Sequence, residues 1–526
     1  MANKNKKYGN KKSSRSNGGS TVKVQESGGS TFIPKGSNNL IENFGNLNYS
    51  YLPGSPLYRD WIPESTSLPE ALPGLLGFDV IPTIGIQKDA SDPINLVSAQ
   101  IYSKLRSVNS GAKNYDPNNV IIHIMAMDSI YSFHAWMMRV YGTIGLYTKS
   151  NYYYPEMLLQ AMRIDSEDLR ANYKQLKGYI DLFAKRANTL VIPDIIPLIG
   201  EHARLFNKVY TDARSIISQN YMFNPAGFYH YIENEEAGVK FGSLEWEWFE
   251  EYGEDGILTF QDIVNFGDHL LNDILQSDDM AIICGDIRKA YSESNLMVIP
   301  QISDDYTTTI EYDENVLLAI RNADTLNVTY GDDGIPNSLV IGDITANPTN
   351  NNVTQEILYK TGTSANTSNV IRNHTKHLID QHKESPTIED NYTAARFKFG
   401  FTGNPSSDDS TAEFSFYGSE LLMNPYIMYF DRTVDGIKSI YTLPINTIVN
   451  TSYAGTNLIR FVRDINLIST FDMAPTIYVG SASMVNTLAQ IGDCIPLGEI
   501  YNPTLVDATT LRNMFVAYFM SAFGVE

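Results

Sequence analysis

The sequence predicts an α+β fold, a mainly helical body with a β-rich segment inserted into it, and three observations carry that prediction. Residues 116–142 (DPNNVIIHIMAMDSIYSFHAWMMRVYG) are apolar on nearly every side of a helical projection, the pattern of a helix buried in a large core. An Asp followed by Pro, a helix-opening signal, occurs at Asp92-Pro93 and again at Asp116-Pro117, and helical periodicity continues to about residue 300. From about residue 306 to 454 the composition shifts to Thr, Asn, Ser and Gly. Runs there such as Arg396-Phe397-Lys398-Phe399-Gly400-Phe401 alternate with a period of two, which indicates half-buried strands.

A chain of 526 residues exceeds what one ordinary core organises, so two or three domains are expected. Acidic residues number 60 against 39 basic ones, a net charge of −21, and a body of that sign does not attract nucleic acid. The balance is uneven along the chain. Seven basic residues (Lys4, Lys6, Lys7, Lys11, Lys12, Arg15 and Lys23) precede the first acidic residue, Glu26, leaving 32 basic against 60 acidic residues, a net of −28. Residues 1–47 are otherwise rich in Gly, Ser and Asn, and too poor in apolar side chains to offset the entropy of ordering. A disordered basic arm is expected, with those seven side chains as RNA-phosphate contacts; a solubilising tail is the alternative. The two cysteines, Cys284 and Cys494, give no disulfide framework and no CxxC motif, which points to a reducing compartment. No apolar h-region occurs in the first thirty residues, so no ordinary secretory signal is expected.

In chain order, residues 48–88 contain too many prolines for a long helix and predict an extended segment lying across other parts or other subunits. The Asp92-Pro93 helix places Ile94, Val97, Ile101 and Leu105 on one face and is expected to end near Gly111. The central helix follows after a short loop, so the two should form a helical hairpin. Asp116 is its expected N-cap, Pro117 its first residue, and Gly142 its left-handed stop, a length of roughly 37 Å. Asp128, Ser132 and Arg139 make one narrow polar stripe on it, and His123 and His134, on another side, read as core histidines. A helix of this length could span a bilayer, but four polar residues at that depth are costly and no second run of spanning length follows. No transmembrane segment is therefore expected.

Pro155 opens a short helix, and Asp165 with Asp168 is an N-cap pattern for a helix to about Asn188. A further helix is expected over 198–218, and Thr259 with Asp262 opens another. Between them, residues 233–255 hold nine carboxylates, one Lys240, and Trp246, Trp248 and Phe249. Such a stretch reads either as a carboxylate-lined site for a cation or an acid–base pair, or as a solvated acidic loop whose aromatics anchor a subunit contact; the loop is favoured. In the insertion, helices are expected near 314–323 and 371–383, and Asp435-Gly436 marks a hairpin. His374 and His377, with Asp380 and His382 nearby, would share a helix face, but no HExxH pattern appears, so an exposed polar helix is preferred to a metal site. Residues 458–468 look like a strand, and a helix from about 508 to 523 should return to the first domain. No phosphate loop, GxSxG elbow or dinucleotide fingerprint is present, and no cofactor is expected.

Several segments together resemble the capsid protein of picobirnaviruses. They are DPINLVSAQIYSKLRSVNSGAKNY (92–115), IMAMDSIYSFHAW (124–136), GLYTKSNYYYPEMLLQAM (145–162), DSEDLRANYKQL (165–176), EHARL (201–205), GDIRKAY (285–291) and FDMAPTIYV (471–479). Their number, order and spacing are specific over roughly 85–300, whereas 306–454 departs in sequence and length. The resemblance implies a basic arm (1–47), a mainly helical shell domain (48–305), a β-rich protruding domain at dimer contacts (306–454), and a return to the shell (455–526). It further implies homodimers that close into an icosahedral particle around double-stranded RNA, with the arm on the RNA and the viral polymerase as a further partner to test. The corresponding location is the virion, assembled in the host cytoplasm. In some relatives the arm is removed by self-cleavage, but no residue here matches that role. Two other functions compete: a carboxylate-based hydrolase built on 233–255, and an RNA-binding protein that forms no capsid.

Overall fold

The computed structural model describes residues 74–109, 111, 115–148, 153–214, 218–236, 239–326, 328, 338–347, 352–360, 376–402, 411–432, 438–444, 448–450, 466–475, 477–480, 494–495 and 500–523. The first half of the chain runs β1 (Leu75–Pro82), α1 (Pro93–Val108), α2 (Pro117–Ile144), α3 (Tyr153–Ala161), α4 (Ser166–Ala171), α5 (Tyr173–Ala187) and α6 (Pro197–Asn207). It continues with β2 (Val209–Thr211), β3 (Asn220–Pro225), β4 (Gly227–Glu236), β5 (Val239–Trp248), α7 (Phe260–Gln276) and α8 (Asp278–Ala290). Then come β6 (Ile310–Glu311), α9 (Glu314–Arg321), β7 (Leu339–Ile341), β8 (Ile344–Asn347), β9 (Asn352–Thr354), β10 (Ile357–Lys360), β11 (Lys376–Gln381) and α10 (Ile388–Ala395). The last part holds β12 (Phe399–Thr402), β13 (Thr411–Tyr417), β14 (Glu420–Arg432), β15 (Lys438–Pro444), β16 (Ile448–Asn450), β17 (Ile477–Gly480), β18 (Cys494–Ile495), β19 (Asn502–Asp507) and α11 (Ala508–Ala522). The chain is thus mixed helix and sheet.

The central helix is as buried as its sequence demands: 25 of the 28 residues of α2 are buried. Phe133 sits at the middle of an aromatic cluster, with ring centroids 5.2 Å from Phe266 of α7, 5.5 Å from Phe183 of α5, 5.8 Å from Phe228 of β4 and 6.0 Å from Phe249. α1 and α6 also pack on α2, so the hairpin of α1 and α2 forms as expected. No helix among the described residues is long and apolar enough to cross a membrane.

Gly142 does not end α2, which runs on to Ile144 and stops at Gly145 in a right-handed conformation. The glycine serves a close approach instead. A Cβ at Gly142 would lie 2.5 Å from the backbone nitrogen of Thr308. The Thr308 hydroxyl donates to the Arg139 carbonyl at 2.9 Å, fixing that strand of chain across the helix. Asp92 stands at the N-cap position with extended backbone, yet its carboxylate accepts from the amides of Lys88 and Asp89 (2.7 and 2.8 Å), pinning the turn before the helix.

Other expectations are corrected. The helix from Asp165 is two helices, α4 and α5, parted at Asn172, whose amide donates to the Asp168 carbonyl and carboxylate (3.1 and 3.0 Å) and so competes with the backbone ladder. The helix expected over 198–218 ends at Asn207, and the β-favouring Val209-Tyr210-Thr211 form a wholly buried strand instead. The helix expected over 371–383 is strand β11 from Lys376 onward, paired antiparallel with β19. Of the strand expected over 458–468, residues 466–468 form a helical turn and the rest lies outside the described residues. The helix starts at Thr259, Asp313 and Asp507 are capped by those side chains, and β14 pairs with β15 in the expected hairpin.

β1, the extended stretch of the proline-rich segment, is buried at all eight positions and lies in the chain's own six-stranded sheet, order β15-β14-β1-β3-β2-β6. It runs parallel to β3 and antiparallel to β14. A second sheet, β4-β5-β8-β9, joins the hairpin of β4 and β5 to strands from beyond residue 306.

Candidate functional site

The seven expected RNA contacts, Lys4, Lys6, Lys7, Lys11, Lys12, Arg15 and Lys23, lie outside the described residues, as does His374. Within the described residues several titratable side chains form buried networks that join distant segments.

The polar stripe of α2 carries the first of these. Asp128 is buried, and its Oδ2 lies 2.8 Å from His202 Nδ1 on α6. His202 Nε2 lies 3.2 Å from the Ser419 carbonyl and 3.4 Å from Glu420 Oε1 on β14. Both ring nitrogens thus face acceptors, an arrangement that only the doubly protonated ring satisfies. Burial alone would depress His202, but Asp128 and Glu420 overcome it and raise the pKa to about 9. Burial would push Glu420 up, yet Arg396 and His202 hold it below the usual carboxylate range. Arg396 donates through Nε to Glu420 at 3.1 Å, pairs with it again through Nη2, and lies 3.4 Å from Glu201, which Tyr518 of α11 also bonds at 2.7 Å. One chain of charges therefore ties α2, α6, β14 and the C-terminal helix together.

Arg139, fully buried on the same stripe, meets no carboxylate among the described contacts. It donates to the carbonyls of Leu205 and Lys208 (3.3 and 3.2 Å) at the end of α6 and to Asn224 Oδ1 (2.9 Å). A cation there satisfies orphan carbonyls and opposes the negative end of the helix dipole. The two α2 histidines are core residues, as expected. His123 Nε2 donates to the Val191 carbonyl at 3.0 Å, and burial pushes His134 down to about 4, which keeps it neutral.

The acidic stretch 233–255 is not a loop. Most of it belongs to the hairpin of β4 and β5, in which Leu244, Trp246 and Trp248 are buried while Glu245 is exposed. Trp246 packs against Trp248 and Tyr229 inside the chain, and neither tryptophan stands at the surface as a subunit anchor. The signal was present as Leu-Glu-Trp-Glu-Trp alternation, which composition obscured. Glu250 pairs with Arg163 at 2.5 Å, and Glu247 meets His230 and His269, the one group among the described residues with the donor atoms to hold a metal ion.

The described histidines of the insertion, His377 and His382, go to different partners. His377 Nδ1 lies 3.2 Å from Asp324 Oδ2, whose other oxygen takes Lys398 Nζ at 2.9 Å. Asp380 accepts from the amides of Tyr501 and Asn502, each at 3.0 Å, and the His382 ring lies tilted against Tyr501 with centroids 4.4 Å apart. Residue-level reading missed His202, Arg396 and Glu420 as partners. They stand alone in sequence, and no local spacing reveals that they meet.

Comparisons with known proteins agree with this architecture. The sequence model of the picobirnavirus capsid protein matches residues 59–337. A capsid protein precursor from Human picobirnavirus (strain Human/Thailand/Hy005102/-) is 25% identical over 478 residues, covering 86% of this chain and 82% of that protein. The crystallographic structure of the picobirnavirus capsid superposes with a TM-score of 0.76 at 20% identity, over 94% of this chain and 98% of the other, which establishes a shared fold. Because the family match spans more than half of the 526 residues, the chain belongs to the picobirnavirus capsid protein family.

Proposed function

We propose that this structural capsid protein assembles as homodimers into an icosahedral shell around double-stranded RNA, with its basic N-terminal residues on the RNA. The observation that carries the reading is the family match over residues 59–337. The buried networks support it, because they use the strongly perturbed groups to join α2, α6, β14 and α11 where a hydrolase would expose them to substrate. The 306–454 segment is the proposed protruding domain, anchored through β8 on β5 and β14 on β1. The virion is the proposed location, assembled in the host cytoplasm, and the viral polymerase is a candidate internal partner.

The arm and body divide the electrostatic work. Seven cations precede Glu26 while the remainder carries −28, so phosphate contact falls to the arm. If every arm cation met a phosphate, log affinity would fall against log salt with a slope of roughly −6. Deleting residues 2–24 should leave closed particles in electron micrographs, remove most co-purifying RNA after nuclease treatment, and remove most of the salt dependence. Truncated particles that retain the same RNA would place the contact on the body. Full-length protein that forms only monomers and small oligomers across salt and pH would overturn the capsid assembly itself.

A further inference from the structure

We propose that His230, Glu247 and His269 bind a transition-metal ion, with Zn²⁺ the ion whose ligand preference they fit, and that the ion clamps α7 onto the hairpin of β4 and β5. The register of the hairpin sets His230 opposite Glu245, so His230 and Glu247 lie one diagonal step apart on the same face. α7 packs on β4 and brings His269 to that face, with the two imidazole centroids 4.3 Å apart. The three donor atoms all lie within 4.8 Å of one another.

The spacing suits a small tetrahedral ion. Two ligands on bonds of about 2.0–2.1 Å to a tetrahedral centre stand roughly 3.3 Å apart. His230 Nδ1 lies 3.3 Å from Glu247 Oε1, and His269 Nε2 lies 2.8 Å from the same oxygen, a pair that must open by about half an ångström to admit the ion. Two imidazoles and one carboxylate are the donor set of a zinc site with one open position, whereas Ca²⁺ and Mg²⁺ call for more oxygen ligands.

Three further features point to a ligand. The His230 side chain is 5% exposed, and its Nδ1 makes no hydrogen bond even at 3.3 Å from Glu247, because the two are not aligned for one. A buried ring nitrogen without a partner is costly, and an ion on its lone pair would remove that cost. Tyr252 donates to the other carboxylate oxygen, Glu247 Oε2, at 2.6 Å, which orients Oε1 toward the histidines as an outer-shell partner does. His269 is 35% exposed, which leaves a path for the ion and room for water as fourth ligand.

The test is titration of the full-length protein with ZnCl₂ after EDTA treatment, by calorimetry near neutral pH, with CoCl₂ as a spectroscopic probe. One equivalent of Zn²⁺ per chain is expected, Co²⁺ should give the visible absorption of a tetrahedral site, and Zn²⁺ should raise the melting temperature. His269→Ala, at a part-exposed position, and Glu247→Gln, which keeps the side-chain shape, should each weaken Zn²⁺ by at least about tenfold and abolish the thermal shift while circular dichroism stays unchanged. No stoichiometric uptake by the wild-type chain would overturn the proposal. So would a His269→Ala protein that takes up the same equivalent with the same affinity, since the ion would then sit elsewhere.

Discussion

At the scale of single residues, the chain buries a small set of ionisable groups, Asp128, His202, Lys398 and Glu420 among them, and pairs these across large sequence separations. His202 shows how that arrangement couples stability to pH. Its folded pKa, near 9, stands above the ordinary value of about 6.5, so the native state holds a proton that the unfolded chain gives up first. The stabilisation is complete below about pH 6.5 and is lost as pH rises toward 9, a change of roughly 3 kcal/mol at most for this one group. Glu420 acts in the opposite direction: its depressed pKa gives stability above its unfolded value that is lost in acid. Urea midpoints of the wild-type protein should therefore fall between about pH 6.5 and 9. In His202→Gln the protein should be less stable overall, because Asp128 and Glu420 lose a cation between them, but its slope over that window should be shallower. Equal slopes would show that another group carries the dependence.

At the scale of elements, two glycines on helices separate propensity from packing. Gly178 is exposed on α5, and a Cβ there would meet nothing within 4 Å, so Gly178→Ala should stabilise the protein by about 0.5–1 kcal/mol. Gly142 on α2 gains the same intrinsic propensity, but its Cβ would press on the Thr308 backbone, and Gly142→Ala should cost about 1–3 kcal/mol. Chemical denaturation of the two variants reads the difference directly. A stabilised Gly142→Ala would mean that the 306–309 segment yields easily and does not lock the end of α2.

At the scale of the whole molecule, a continuous apolar core runs from Leu75 to Phe523, and strands from beyond residue 306 share sheets with β1 and β5. We expect the symmetric dimer to be the assembly unit. Sedimentation of particles dissociated under mild conditions should release dimers before monomers; a monomer as the first and smallest species would refute it.

Local chemistry was legible in the sequence at several elements where neighbours decide the outcome, though the break at Asn172 and the alternation of β5 are local signals that were passed over. The burial of α2, the cap at Thr259, the hairpin of β14 and β15, and the last helix were all readable, because each rests on periodicity or on side chains a few residues apart. The order and spacing of the quoted segments carried the family. Three features needed the tertiary structure. Gly142 looked like a stop because its sequence cannot show Thr308 passing over it. β11 looked helical because its partner β19 lies more than a hundred residues away, and pairing across that distance overrides local preference. The convergence of His230, Glu247 and His269, and that of Asp128, His202 and Glu420, depend on three separate elements meeting at one point, a fact fixed by packing and by no single stretch of chain.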